Sequence, residues 1–189
     1  MSAAAVRTCP GVLPDEAYAA ALLTLPGLWP ARAAALLGVR RSPRGAPRPT
    51  RSGEEAWDLV RSGCAADVPQ VRALMREAAP DAIAAHWAAA AARVDVAAMW
   101  ASYARLGVRV DLWGTPGYPQ RLAAAPSAPY VVFRRGPHDD LGGKTAAIVG
   151  TRRASPGGRE IAIEFGAGLA ANGVRVVSGL ALGIDAAAH

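Results

Sequence analysis

Apolar positions follow two different rhythms along the chain. Before residue 107, leucine, alanine and tryptophan recur at helical spacing and predict helices over 15–25, 29–37, 54–62, 68–79 and 81–106, the last broken near Val94. Asp15 is placed to cap the first, and Pro26-Gly27 ends it. Residues 40–52 hold Arg40, Arg41, Arg44, Arg48 and Arg51 with three prolines and no acid, a composition that predicts a loop.

From Gly107 the period becomes two. Val108, Val110 and Leu112 alternate with polar residues, and 129–133 and 145–149 are short apolar runs suited to buried strands. After the second run come Gly150, a polar turn, a helix over 156–171, the stop Asn172-Gly173 and a strand over 174–177. Strand, helix, strand within one short segment is a βαβ unit, which predicts parallel strands and a right-handed crossover. The fold class is therefore α/β: a small all-helical domain over 1–106, then a parallel-sheet domain over 107–189.

Two glycine turns follow the strands, at one sheet edge, where open parallel sheets bind ligands. In the first, Gly150 allows a sharp turn, Ser155 is a good N-cap with Pro156 at the first helical position, and Gly158 follows. Backbone N–H groups and the helix dipole there favour an anion, and Arg152 or Arg153 can add bidentate charge to a phosphate. In the second, the Ser178 hydroxyl can donate to a phosphate oxygen while Gly179 and Gly183 let backbone approach it. Asp185 reads as a helix cap or a partner of Arg152, and His189 is assigned no chemistry. The same turn is what any α/β unit needs, so spacing alone leaves phosphate binding and plain architecture both open.

Composition changes this picture little. The 189 residues carry 21 basic and 15 acidic side chains, a net charge of +6, and a mean hydropathy of +0.15. Such a surface permits nucleic acid without requiring it, and 20 of the 21 cations are arginine, which fits a GC-rich coding sequence equally well. Alanine accounts for 45 residues, so large core-forming side chains are few. Cys9 and Cys64 are far apart, without metal-ligand spacing or a disulfide framework, and predict a reducing cytoplasm. No apolar run approaches a membrane span. His86, His138 and His189 sit in unrelated contexts with no nucleophile–base arrangement, and neither the dinucleotide fingerprint nor the P-loop is present. Trp57, Trp87, Trp100 and Trp113 are spaced as core or interface anchors.

The run Ala147-Ile148-Val149-Gly150-Thr151-Arg152, then Ser155-Pro156 and Gly158, then Val176 to Ala181, Gly183-Ile184-Asp185 and Ala187-Ala188-His189 resembles the DNA-processing protein A family, DprA or Smf. Tyr118-Pro119, Leu122, Pro129 and Arg135-Gly136 agree with the same family, so the resemblance covers residues 107 to 189 in order. Leu25-Pro26-Gly27-Leu28 loosely resembles its sterile-alpha-motif-like or helix-hairpin-helix N-terminal domain.

The resemblance implies a cytoplasmic bacterial protein of natural transformation. Such a protein binds and protects incoming single-stranded DNA, helps load the RecA recombinase, works as a homodimer and needs no cofactor or turnover. Carried over by position, Gly150, Thr151 and Arg152 form one phosphate-binding turn of a Rossmann-like domain; Ser178, Gly179 and Gly183 form the other, and Ser155, Gly158 and Asp185 support them. Gly157 stands where the family often has an aromatic residue, and Trp29 where a hairpin turn would have its second glycine. The family's Rossmann-like domain continues past the position of His189, so the chain is expected to be the N-terminal part of a longer protein, with an open sheet edge, poor stability and for the most part no ability to bind DNA on its own. Two alternatives are a nucleotide-binding enzyme on a related scaffold, such as a nucleotide phosphoribohydrolase, and a truncated, non-functional product.

Overall fold

The computed structural model describes residues 12–42, 45–75, 79–125, 127–136 and 142–189, which form two compact units, 1–139 and 140–189. Cys9 and His138 lie outside the described residues.

The first unit is built around α1 (Asp15–Leu22), where Ala17, Ala19, Ala20, Ala21 and Leu22 are all buried. Alanines on nearly every side let neighbours pack close to the helix axis. Its neighbours are α3 (Gly53–Arg61), α6 (Val96–Arg105) and the hairpin of β3 (Val108–Leu112) with β4 (Val131–Arg135). Asp15 does not cap its own helix. It is the first helical residue, and its carboxylate accepts from the Gly53 N–H at 2.7 Å, where a side chain on Gly53 would overlap α1 backbone. α3 starts from a full capping box, Ser52 with Glu55, and buries Trp57 and Val60. α2 (Pro30–Leu36), α4 (Pro69–Ala73), α5 (Pro80–Ala91) and a 3-10 turn, Cys64–Asp67, complete the helices that carry this core. Trp87 of α5 is fully buried, donates from Nε1 to the Pro26 carbonyl at 2.9 Å, and lies beneath the Arg32 guanidinium, which also covers the exposed Trp29. Trp57 and Trp87 are thus core; Trp100 and Trp113 are half-buried against it.

Two expectations need correction here. Residues 40–52 are not all loop, because β1 (Arg40–Ser42) pairs antiparallel with β2 (Gly45–Arg48). A two-stranded ribbon has an open side on each strand, so a proline such as Pro47 is compatible with it. The region expected to be all-helical therefore holds a ribbon as well. Secondly, packing continues past the change of rhythm at Gly107: Leu112 and Tyr130 belong to the same core as the helices.

The β3–β4 pairing runs from Val108 opposite Arg135 to Leu112 opposite Val131. Val110 and Leu112 are buried as the alternation predicts, and so is Asp111 on the opposite face, where Arg134 pairs with it and also donates to the Gly117 carbonyl at 2.7 Å. A side chain on Gly117 would strike the Asp111 carboxylate. The Tyr118 hydroxyl donates to the Pro129 carbonyl at 2.6 Å, fixing the stretch around α7 (Gln120–Ala123) before β4 begins.

The second unit is the expected βαβ arrangement. β5 (Thr145–Ala147) pairs parallel with β6 (Arg175–Val177), and α8 (Pro156–Ala171) connects them before the short α9 (Ile184–Ala187). Its strands are not buried as the apolar runs suggested. Val177 is 46% exposed, each strand having only the other as partner among the described residues, and Val149, past the end of β5, is 70% exposed. No helix among the described residues is long and apolar enough to cross a membrane.

Candidate functional site

Parallel pairing, with Ala147 opposite Val177, brings the turn after β5 and the turn after β6 to one sheet edge. Ser155 caps α8 as expected, accepting from the Gly158 N–H at 3.1 Å, with Pro156 at the first helical position. The Thr151 hydroxyl oxygen accepts from the Arg153 N–H at 3.1 Å. Arg152 and Arg153 are both exposed and make no ion pair among the described residues.

The two turns are welded to each other. Asp185, 4% exposed, accepts from the Gly150 N–H through Oδ1 and from the Gly179 N–H through Oδ2, each at 3.0 Å. The Ile184 N–H donates to the Thr151 carbonyl at 3.2 Å. Gly183 adopts φ 97°, and a side chain there would overlap the carbonyls of Thr151 and Arg152. Gly150 is equally constrained, since a Cβ would sit 2.7 Å from the Ile184 side chain. These glycines serve the contact between turns, a use the sequence spacing did not reveal.

Asp185 therefore neither caps α9 nor pairs with Arg152. Its carboxyl is held below the ordinary 3.8, first by the Gly150 N–H and further by Gly179 and Ala181, against an opposing effect of burial. One consequence concerns the anion site directly: the Gly150 and Gly179 amides are already satisfied by an internal carboxylate. The side chains that can add donors at this edge are the exposed Arg152 and Arg153 guanidiniums and the hydroxyls of Thr151 and Ser178.

Ser178 holds a residue that sequence reasoning passed over. Its Oγ lies 2.9 Å from His189 Nε2 and accepts from the Leu180 N–H at 3.0 Å, which steadies Leu180 at a φ of 51°. Eleven residues separate Ser178 from His189, and only the close seating of α9 on α8 joins them. Gly166 and the buried Ala162 allow that seating, because any side chain at Gly166 would meet the Ala188 carbonyl. The small residues Gly158, Ala162 and Gly166, four apart on α8, were the available signal.

Residues 109–189 match the family model described as DNA recombination-mediator protein A. The chain is 34% identical over 85 residues to protein Smf of Borreliella burgdorferi, a match covering 45% of this chain and 27% of that protein. It is 47% identical over 64 residues to a Mycobacterium tuberculosis protein named as the DNA processing protein DprA, covering 33% of this chain and 16% of that one. The alignments thus span about a quarter or less of these relatives' lengths. The matched segment runs from the β3–β4 hairpin, with its Asp111–Arg134 pair and Tyr118 tether, through both turns welded by Asp185; over residues 109–189 the chain is similar to the DNA recombination-mediator protein A family.

Proposed function

We propose that this chain is the single-stranded-DNA-binding portion of a recombination mediator, a non-catalytic cytoplasmic protein that protects incoming DNA in natural transformation and helps load the RecA recombinase as a homodimer. β5, α8 and β6 are the start of its Rossmann-like sheet, and the preceding helices are its sterile-alpha-motif-like or helix-hairpin-helix domain. The observation that carries the reading is a pair of exposed guanidiniums, Arg152 and Arg153, with no ion pair among the described residues, on a turn tied by Asp185 ahead of the N-terminus of α8. The family segment to which this edge belongs supports it.

In this reading Gly150, Gly179 and Gly183 with Asp185 hold the turns in register, Ser155 and Gly158 fix the helix start, and Arg152, Thr151 and Ser178 meet phosphate. Such binding is salt-sensitive and largely indifferent to sequence. Arg152→Ala should weaken single-stranded DNA binding by about 1–3 kcal/mol, the range for a hydrogen bond to a charged group, and flatten its salt dependence. Arg153→Ala is the comparison and should have the smaller effect. Equal affinity and an unchanged salt slope in Arg152→Ala would remove this function from the turn.

A further inference from the structure

We propose that the ribbon of β1 and β2 is a docking surface for the phosphate backbone of duplex DNA, held by Arg40 and Arg48. The ribbon lies in the first unit, and this role goes beyond the single-strand reading of the turns after β5 and β6, none of whose residues it uses.

The antiparallel register sets Arg40 directly opposite Arg48, so both side chains leave the same face of the ribbon. Residues paired in this way stand about 5 Å apart at Cβ, and like charges so placed repel each other. Both arginines are exposed, and neither makes an ion pair or a side-chain hydrogen bond among the described residues. No acid stands in 40–52 to relieve them. The α3 carboxylates that share a surface hollow with Thr50 and Arg51 are committed elsewhere: Glu55 accepts from the Ser52 N–H at 2.7 Å, and Asp58 faces Arg61 at 3.9 Å. Two cations held together without an internal counter-charge are relieved by an anion from outside.

The pair is carried on a fixed root. The Thr50 and Arg51 N–H groups both donate to the Leu37 carbonyl, at 3.1 and 3.2 Å, and the Arg51 guanidinium donates to the Leu36 carbonyl at 3.0 Å, so the end of α2 holds the returning chain. Val39 packs on the helical core, and Gly38, at φ 64°, has no room for a side chain against Thr50. Beside this root lies a cavity of about 360 Å³ with Arg40, Thr50, Arg51 and Gln70 on its wall and no carboxylate among the described residues, which gives a phosphate group room between Arg40 and Arg51.

Shape and composition both favour a duplex. Paired strands lie about 4.8 Å apart, and the major groove of B-DNA, about 12 Å wide, admits a two-stranded ribbon. Proteins that hold single strands add aromatic side chains on which unpaired bases stack, and residues 40–52 contain none. Arginine meets phosphate oxygens with two parallel hydrogen bonds and reads no base in doing so, so the contact is indifferent to sequence.

The test is fluorescence anisotropy of the 189-residue chain with a mixed-sequence duplex of about two helical turns and with a thymidine single strand of the same length, each over a range of salt. Arg40→Gln with Arg48→Gln should weaken duplex binding about ten-fold and lower its salt slope by about two, roughly one for each phosphate contact, while the single strand binds as it does to the parent. Arg40→Lys with Arg48→Lys keeps both charges and should keep the slope; a loss there equal to that of the glutamine pair would trace the effect to a damaged ribbon and overturn the proposal. A parent that binds no duplex at low salt, or a glutamine pair with the parent's affinity and slope, would overturn it as well. Equal losses on duplex and single strand would overturn the assignment to duplex. Arg152→Ala, read on the single strand, tests the turns apart from all of these results.

Discussion

The two units of this chain are held together by different means. In the first, Trp87, Leu22, Leu36, Leu37, Met75, Val60 and Val71 are buried almost completely, and the helices exist because their apolar faces have something to cover. In the second, the buried apolar side chains among the described residues are Ala162 and Ala188, while Ile161, Ile163 and Phe165 of α8 are more than half exposed, as are Val149, Leu180 and Leu182. Its order comes from backbone contacts that glycine permits and from one carboxylate tied to two amides. The contrast shows that a sheet edge can be ordered by hydrogen bonds and absent side chains, with little buried apolar surface beneath it.

The sharpest way to break the comparison is to cut the first unit. Ending the chain after residue 106 removes Leu112 and Tyr130 from the core, two large side chains at roughly 3 kcal/mol each, whereas ending it after 139 removes neither. Thermal melting should be cooperative for 1–139, and far lower in temperature or absent for 1–106. Equal melting would return the boundary to residue 106. Next in size, Trp87→Ala should destabilise the first unit by about 3–5 kcal/mol, since it empties the centre of the helices and orphans the Pro26 carbonyl. Denaturant unfolding followed by the remaining tryptophans measures it.

The second unit should fail by acid instead. The Asp185 carboxyl is depressed in the folded state, so its stabilising effect is complete above the unfolded value near 4 and is lost as pH falls through the lower folded value. The amide shifts of Gly150 and Gly179 should titrate together with a midpoint below 3.8, and Asp185→Asn should abolish that step. Independent midpoints for the two amides would separate the turns. The smallest effect is in the opposite direction of pH and in the other unit. Burial, followed by the nearby Asp15 and Glu16 charges, pushes Tyr130 up to about 12. Its contribution is complete below the ordinary 10 and disappears as pH rises toward 12; ultraviolet difference spectra of Tyr130→Phe against the parent would locate the ionisation.

Periodicity made the elements legible where local sequence determines them. The helix over 156–171 with its Ser155 cap matches the predicted limits, and the break near Val94 separates α5 from α6. The ribbon of β1 and β2 escaped because arginine and proline carry no alternation, and pairing is a property of two segments at once. At the site, the glycines, Arg152, Ser178 and Asp185 could be singled out by spacing. What they do to each other could not, because Asp185 reaching Gly150 spans 35 residues and the seat of His189 depends on how α9 packs on α8.

The central position of α1 has a consequence for biosynthesis. Its alanine-rich surface is covered partly by β3 and β4, which follow it by about 90 and about 110 residues. At roughly 5–20 residues per second of translation, the nascent helix waits about 6–23 seconds for the hairpin that completes its surroundings. The βαβ segment behind it needs no such wait, since its partners emerge almost together. Slowed elongation between codons 22 and 135 should therefore lengthen the interval in which the first unit is open to chaperones and proteases, and leave the second untouched.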